Sequence, residues 1–479
     1  MFLQYGSSEL DQYLIHPDFW LSSDHTPLSI DIPISKEVIQ TSKLSLAPKS
    51  DQETAFIEDI ISNFKNMDMS NIDDTEKLEC TVNQLGIFID QAWTKNAKKS
   101  KISKHSKQWW MEKCSRSLNN YRASRSLENW KKFKKTVKDV KRSFFDDKIQ
   151  EVANKSHGPW ELMNWIRRRK LPAIEAINHN SQPCLSLKSL WNTLHSTFNT
   201  TLNQQVNLNI LNEVEHKPSF PWSPFSKEEF KSAISKCSDS SAPSLNKLMW
   251  CHLKFIINQD TYLTNIINIA DSCISLDYWP KYFKYSSTII IPKPNKTMYD
   301  QPKAFQPIVL LNTLGKLIKK MIAERLQFMV ASNNFVHPSQ LGGLKFKSTT
   351  DAGIVLTHIV RSECTKGKPT SSFAFDISQF FLLLNYKLLT LILEKVGLDP
   401  KVTSFFANYL VKRKTSYVWN NFSSPSFVVN VGVGQGSALS PILSALYLTP
   451  FLYILEKRLK NLKIPISILS FVDDELIIA

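Results

Sequence analysis

The stretch SILSFVDDELIIA, residues 467–479, sets two adjacent acids, Asp473 and Asp474, between two apolar runs. Ile466, Ile468, Leu469, Phe471 and Val472 read as a buried strand and Leu476 to Ile478 as its partner, which predicts a β-hairpin with carboxylates at its tip. An ordinary solvated turn accounts for that pattern. So does half of a metal site, because a hard cation such as Mg²⁺ takes carboxylate oxygens held on a rigid support. The second reading requires another acid from elsewhere in the chain.

TSSFAFDISQFFLLLNYKLL, residues 370–389, supplies one. Ser372 to Phe375 predict a short strand, Asp376 stands at its end, and an apolar helix follows. An acid at the end of a neighbouring strand can meet the Asp473-Asp474 hairpin, and three carboxylates can hold two divalent ions about 3.5–4 Å apart. Between the two segments lies NVGVGQGSALSPILSALYL, where Gly432, Gly434 and Gly436 make a loop whose backbone can approach a ligand closely. Ser440 is placed to cap the following helix and Pro441 fits its first turn.

Bulk properties narrow the partners. The 479 residues carry 59 Lys or Arg against 43 Asp or Glu, a formal charge of +16, which favours polyanions and nucleic acid first among them. Seven scattered cysteines with no CxxC pair point to free thiols in a reducing compartment, nucleus or cytoplasm. The N-terminus has no signal-peptide pattern, and the longest apolar run is interrupted by Asn385 and Lys387, so no membrane span is expected.

Along the chain, residues 1–35 include the strand-like alternation Leu28, Ile30, Ile32, and residues 36–94 are polar and read as a linker. Residues 95–215 form a basic helical region: over 95–142, seventeen Lys or Arg stand against three acids. Leu127, Trp130, Phe133, Val137, Val140 and Phe144 recur at helical spacing, which predicts an amphipathic helix with a lysine-rich outer face. Such a face is either simply solvated or contacts nucleic acid; the later WIRRRK, residues 165–170, favours contact. Ser226 with Glu229 then has capping-box spacing and opens a domain of mixed strands and helices, residues 216–479.

The ordered set FAFDISQFF, GVGQGSALSPILSALYL and FVDD resembles the palm of reverse transcriptases from non-LTR (LINE-type) retrotransposons, and SSAPSLNKLMWCHLK with the FVDD ending resembles fungal copies especially. Upstream, WPKYFKYSSTIIIPKPNK and FQPIVLLNTLGKLIKKMIAERL look like the fingers, and PSQLGGLKFKSTTDA like the element before the palm. The resemblance implies an α+β fold: right-hand fingers and an antiparallel palm sheet, preceded by the basic helical region, with the chain stopping before a thumb as in a truncated copy. SSDHTP resembles the last strand of the endonuclease domain of these elements, with Asp24 and His25 as relics of its acid and histidine.

The resemblance also implies roles. Asp376, Asp473 and Asp474 match the catalytic, metal-binding acids, for Mg²⁺ or alternatively Mn²⁺. Phe381 matches the residue that rejects a 2′-hydroxyl, Gln435 and Gly436 the loop against the template base and nucleotide, and Lys293 the lysine that contacts the triphosphate. Gln306 stands where the family has a phosphate-binding arginine. Ser244, Leu245 and Asn246 replace a Gly-Pro-Asp run, Leu382 to Leu384 a small or polar stretch, and Glu475 a small residue. The expected partners are an RNA template, a DNA primer and dNTPs, with no membrane and no obligate protein partner. The expected function is RNA-directed DNA polymerisation, impaired in this copy; a non-catalytic nucleic-acid-binding remnant and a genomic fossil are the alternatives.

Overall fold

A computed structural model describes residues 13–15, 28–30, 43–46, 50–65, 67, 69, 71–100, 107, 109–153, 177–179, 182–184, 186–199, 206–239, 241, 247–258, 260–294, 296–419, 422–461 and 466–479. The chain divides into two compact units. The first is Met1–Ser45 with Lys98–Ser106. It holds two antiparallel strand pairs, Tyr13–Ile15 with Leu28–Ile30 and Lys43–Ser45 with Lys98–Ser100, so the alternation at Leu28 and Ile30 does form a strand. Asp24 and His25 lie outside the described residues, as do WIRRRK and Ser244 to Asn246.

The second unit comprises Leu46–Ala97 and Lys107–Ala479. It begins with α1 (Asp51–Lys65) and α2 (Thr75–Asn96), and here the linker expected over 36–94 is corrected. Phe56, Ile60 and Phe64 on α1, and Leu78, Val82, Leu85 and Ile89 on α2, are buried in the main core. Their spacing of three or four residues gives one apolar face, while charged residues on the other faces dilute the average hydropathy. Asp74 caps α2 by accepting from the Lys77 amide at 2.7 Å.

Polar ties reinforce this docking. His252, on α5 (Trp250–Ile257), bonds Glu53 Oε1 at 2.9 Å, and Tyr262, on α6 (Asp260–Ser275), donates to the Ile61 carbonyl at 2.9 Å. Burial disfavours a charged His252 ring, but its bonds to Cys251 and Glu53 outweigh that cost and raise its pKa to about 9.

Helices α3 (Glu112–Ser124) and α4 (Leu127–Ala153) form the basic region. Trp109, Trp110, Tyr121, Trp130 and Phe133 pack on one another, with ring centroids 4.9–6.2 Å apart, as the seam of this hairpin. Lys131, Lys132, Lys134, Lys135 and Lys138 remain exposed on the outer side of α4. The aromatic residues interleaved with the lysines are therefore packing groups that turn the lysines outward.

Two sheets organise the rest. In the first, β1 (Tyr285–Pro292) pairs antiparallel with β2 (Phe305–Leu311) and parallel with β4 (Arg413–Trp419), and β5 (Phe427–Val429) adds antiparallel to β4. In the second, β3 (Ser372–Asp376), β6 (Ser467–Phe471) and β7 (Asp474–Ile478) lie antiparallel in the order β6-β7-β3. Helices α7 (Thr313–Asn333), α8 (Tyr386–Lys395), α9 (Pro400–Leu410) and α10 (Ser440–Lys460) bury apolar faces in the core. The capping box forms as expected: Ser226 Oγ accepts from the Glu229 amide at 3.1 Å, and Glu229 Oε2 accepts from the Ser226 amide at 2.9 Å. Ser440 does not cap α10; it is the first helical residue, and its hydroxyl donates to the Gly434 carbonyl at 2.8 Å. Among the described residues, no helix is long and apolar enough to cross a membrane.

Candidate active site

Strand pairing brings the three acids to one sheet end. Asp474 lies directly opposite Asp376 in the antiparallel register, so the two side chains leave the same face of the sheet. Asp473 precedes them in the turn, and its carbonyl accepts from the Ile377 amide at 2.9 Å. The tip is one residue earlier than expected: Phe471 pairs with Asp474, which leaves Val472 and Asp473 as the two-residue loop and makes Asp474 the first residue of β7. Asp376 and Asp474 are exposed and Asp473 is half-buried. Burial first, then repulsion from Asp474 and Asp376, pushes the Asp473 carboxyl up.

Both charges acting on Asp473 are carboxylates, so a divalent cation between the strands would relieve burial and repulsion together. The donor set is all oxygen, on two adjacent strands, which fits Mg²⁺ or Mn²⁺.

Beneath the acids lies a network that the sequence did not reveal. Val472 has φ +66°, a left-handed conformation costly for a β-branched residue. Its amide donates to Gln340 Oε1 at 3.0 Å, the Gly342 amide donates to the same oxygen at 2.8 Å, and Gln340 Nε2 donates to Ser470 Oγ at 2.7 Å. Ser470 in turn donates to Glu475 Oε1 at 2.7 Å. Glu475 is 2% exposed and alternates away from Asp474. Burial first, then repulsion from Asp474 and Asp473, raises its pKa to about 7.

The glycine loop is stitched to both flanking segments. A Cβ on Gly432, at φ +70°, would meet the Phe381 carbonyl oxygen at 2.5 Å, and the Val433 amide donates to that same carbonyl at 2.7 Å. Val309 of β2 donates its amide to the Gln435 carbonyl at 2.9 Å, and the Gln435 side-chain oxygen is buried with no hydrogen-bond partner among the described residues. Ile291 lies opposite Gln306, and Lys293 follows two residues on, so strand alternation puts Lys293 and Gln306 on one face of the first sheet. Leu382 and Leu384 serve packing: Leu384 is in the core and Leu382 lines a cavity beneath the loop.

Residues 291–479 match the family described as reverse transcriptase (RNA-dependent DNA polymerase). This segment is a reverse transcriptase domain. It contains the acid sheet, the glycine loop, Lys293 and Gln306. The chain is 26% identical over 358 residues to the probable RNA-directed DNA polymerase from transposon BS of Drosophila melanogaster, covering 68% of this chain and 38% of that protein. It is 25% identical over 229 residues to the RNA-directed DNA polymerase from mobile element jockey of Drosophila funebris, covering 48% of this chain and 25% of that protein. A Pol polyprotein from retrotransposable element R2 of Popillia japonica is 24% identical over 198 residues, covering 40% and 27%. The chain thus spans well under half the length of each of these relatives. All three are named for transposable elements, and two of them as RNA-directed DNA polymerases.

Proposed function

We propose that the chain provides the fingers and palm of an RNA-directed DNA polymerase that extends a DNA primer on an RNA template, with Asp376, Asp473 and Asp474 as the ligands of two Mg²⁺ ions. The observation that carries this reading is the register that sets Asp376 opposite Asp474, with Asp473 in the adjoining turn. When bound, the ions would stabilise the charge that develops on the attacking 3′-hydroxyl and the leaving pyrophosphate. Phe381, held beside Gly432 through its carbonyl, excludes a ribose 2′-hydroxyl by bulk. Gln435 and Gly436 position the templating base and the incoming dNTP.

Lys293 contacts the triphosphate. Gln306, on the same sheet face, offers only a neutral donor where an arginine would add charge-assisted bonds. The exposed lysines of α4 hold the phosphate backbone without sequence preference. Residues 1–35 belong to an endonuclease-type domain, on the resemblance of SSDHTP to its last strand. A fungal source and a nuclear or cytoplasmic site of action belong to the same proposal.

Primer extension on an RNA template with Mg²⁺ and dNTPs tests it. Charge-assisted hydrogen bonds contribute about 1.5–3 kcal/mol each. Gln306→Arg is therefore expected to speed a slow basal extension by about ten- to several-hundred-fold. Asp473→Asn should remove it. Extension that survives Asp473→Asn overturns the assignment. Hybrid binding with no extension in either the unmodified chain or Gln306→Arg identifies a non-catalytic binder instead, a reading that the neutral Gln306 favours.

A further inference from the structure

On the opposite face of the first sheet from Lys293 and Gln306 is a partly open cavity of about 70 Å³. Ser286, Thr288, Val309 and Thr415 form its floor, and α7, α9 (Pro400–Leu410) and the glycine loop at Val433 and Gly434 close it. A buried water needs roughly 10–15 Å³ of such space. The cavity therefore admits a few waters or one tetrahedral oxyanion, and excludes a nucleotide.

Its charge is one-sided. Lys319, Arg413 and Lys284 line it, and among the described residues no carboxylate does. Lys319 is 1% exposed and none of its ammonium protons has a hydrogen-bond acceptor among the described residues; its neighbours are the rings of Trp279 and Tyr409, 5.8 and 5.6 Å from Nζ. Aromatic faces offset part of the cost of a buried cation, but an ammonium with three unpaired donors leaves most of it standing. Arg413 is anchored by three donations to the carbonyls of Leu410, Val431 and Gly432, at 2.7–3.0 Å, which hold its fork at the cavity wall beside Lys319.

We propose that this cavity binds a single small tetrahedral oxyanion of the orthophosphate class, held by Lys319 and Arg413. The anion supplies the acceptors that Lys319 lacks and neutralises a cluster of cations with no counter-charge. It also joins α7 and β4 to the back of the glycine loop, because Arg413 reaches the loop at Val431 and Gly432. Empty, the site favours a neutral lysine: burial first, then the charges of Lys316 and Arg413, lowers the Lys319 pKa to about 7. Lys284, across the cavity, is likewise lowered to about 8 by burial, whereas the Arg413 guanidinium and the Tyr409 and Tyr417 phenols keep their protonation over the neutral range.

The test is thermal unfolding of the full chain in orthophosphate or sulfate against sodium chloride of equal ionic strength. A saturable rise in Tm of about a few degrees is expected with either oxyanion. Lys319→Met, which fits among the same rings, should lose that rise, whereas charge reversal at Lys131, Lys134, Lys135 and Lys138 should keep it. Pyrophosphate and dTTP, too large for the cavity, should give no rise that depends on Lys319. Sulfate binding should weaken between pH 6 and pH 9 as Lys319 and then Lys284 lose their protons, a dependence read on the unmodified chain even if Lys319→Met does not fold. An equal Tm in sulfate and chloride, an unchanged rise in folded Lys319→Met, or pH-independent sulfate binding would each overturn the site.

Discussion

The acid-bearing sheet and the α3–α4 hairpin both carry dense charge of one sign, but they hold it differently. In the sheet, Asp376 and Asp474 are fixed by strand register, and the turn bearing Asp473 is tied through the Val472 amide to a buried glutamine. On the hairpin, an aromatic seam turns lysines outward on long, solvated stems. Charge fixed to within a fraction of an ångström can organise a reaction. Mobile exposed charge yields affinity that salt removes.

The contrast is tested first where the effect is largest. On the proposed metal site, Asp473→Asn removes a ligand from ions that would supply several kcal/mol of transition-state stabilisation, so primer extension should fall by roughly 10²–10⁴-fold with hybrid affinity nearly unchanged. A comparable loss of affinity would mean that the acids bind substrate more than they drive chemistry. Next, Gln340→Ala deprives the Val472 and Gly342 amides of their acceptor and Ser470 of a partner. It should cost about 1–3 kcal/mol in unfolding free energy and reduce extension as well. Stability lost with the rate unchanged would show that the strained turn does not need this support.

The hairpin should respond differently. Charge reversal at Lys131, Lys134, Lys135 and Lys138 should flatten the dependence of log affinity on log salt by up to about four units, with the extension rate at saturating hybrid unaltered. An unchanged slope would reduce the outer face of α4 to a solvated surface.

The smallest effect concerns His252. Its folded pKa, about 9, lies above the ordinary 6.5, so its bonds to Cys251 and Glu53 add stability that is complete below pH 6.5 and disappears as pH rises through 9. Urea midpoints measured across that window should decline, Glu53→Gln should flatten the decline in part, and His252→Gln should abolish it. A decline that persists in His252→Gln would assign it to another group.

How legible each part was follows from the range of the interaction that makes it. Asp376, Asp473 and Asp474 stand beside short apolar strands, and local alternation alone places them at strand ends. Gln340 is hydrogen-bonded to Ser470 from 130 residues away, and a single glutamine leaves no pattern. The α1–α2 pair reads as a linker in sequence because its charged faces mask apolar residues spaced for a core. Lys319 was hidden for the reverse reason: between Lys316 and Lys320 it reads as part of a solvated face, while the fold turns it onto Trp279 and Tyr409. Val472 reads as a strand residue, and only the pairing of Phe471 with Asp474 moves it into the turn.

Divalent-ion binding by the acid sheet can be measured without any turnover. Titrating the full chain with Mn²⁺ and following free Mn²⁺ by electron paramagnetic resonance should reveal saturable binding that Mg²⁺ displaces. The Asp376→Asn, Asp473→Asn double variant, with an unchanged circular dichroism spectrum, should lose it. Mn²⁺ binding that is the same in the double variant, or absent from the unmodified chain, would contradict a metal-dependent polymerase site at the end of this sheet.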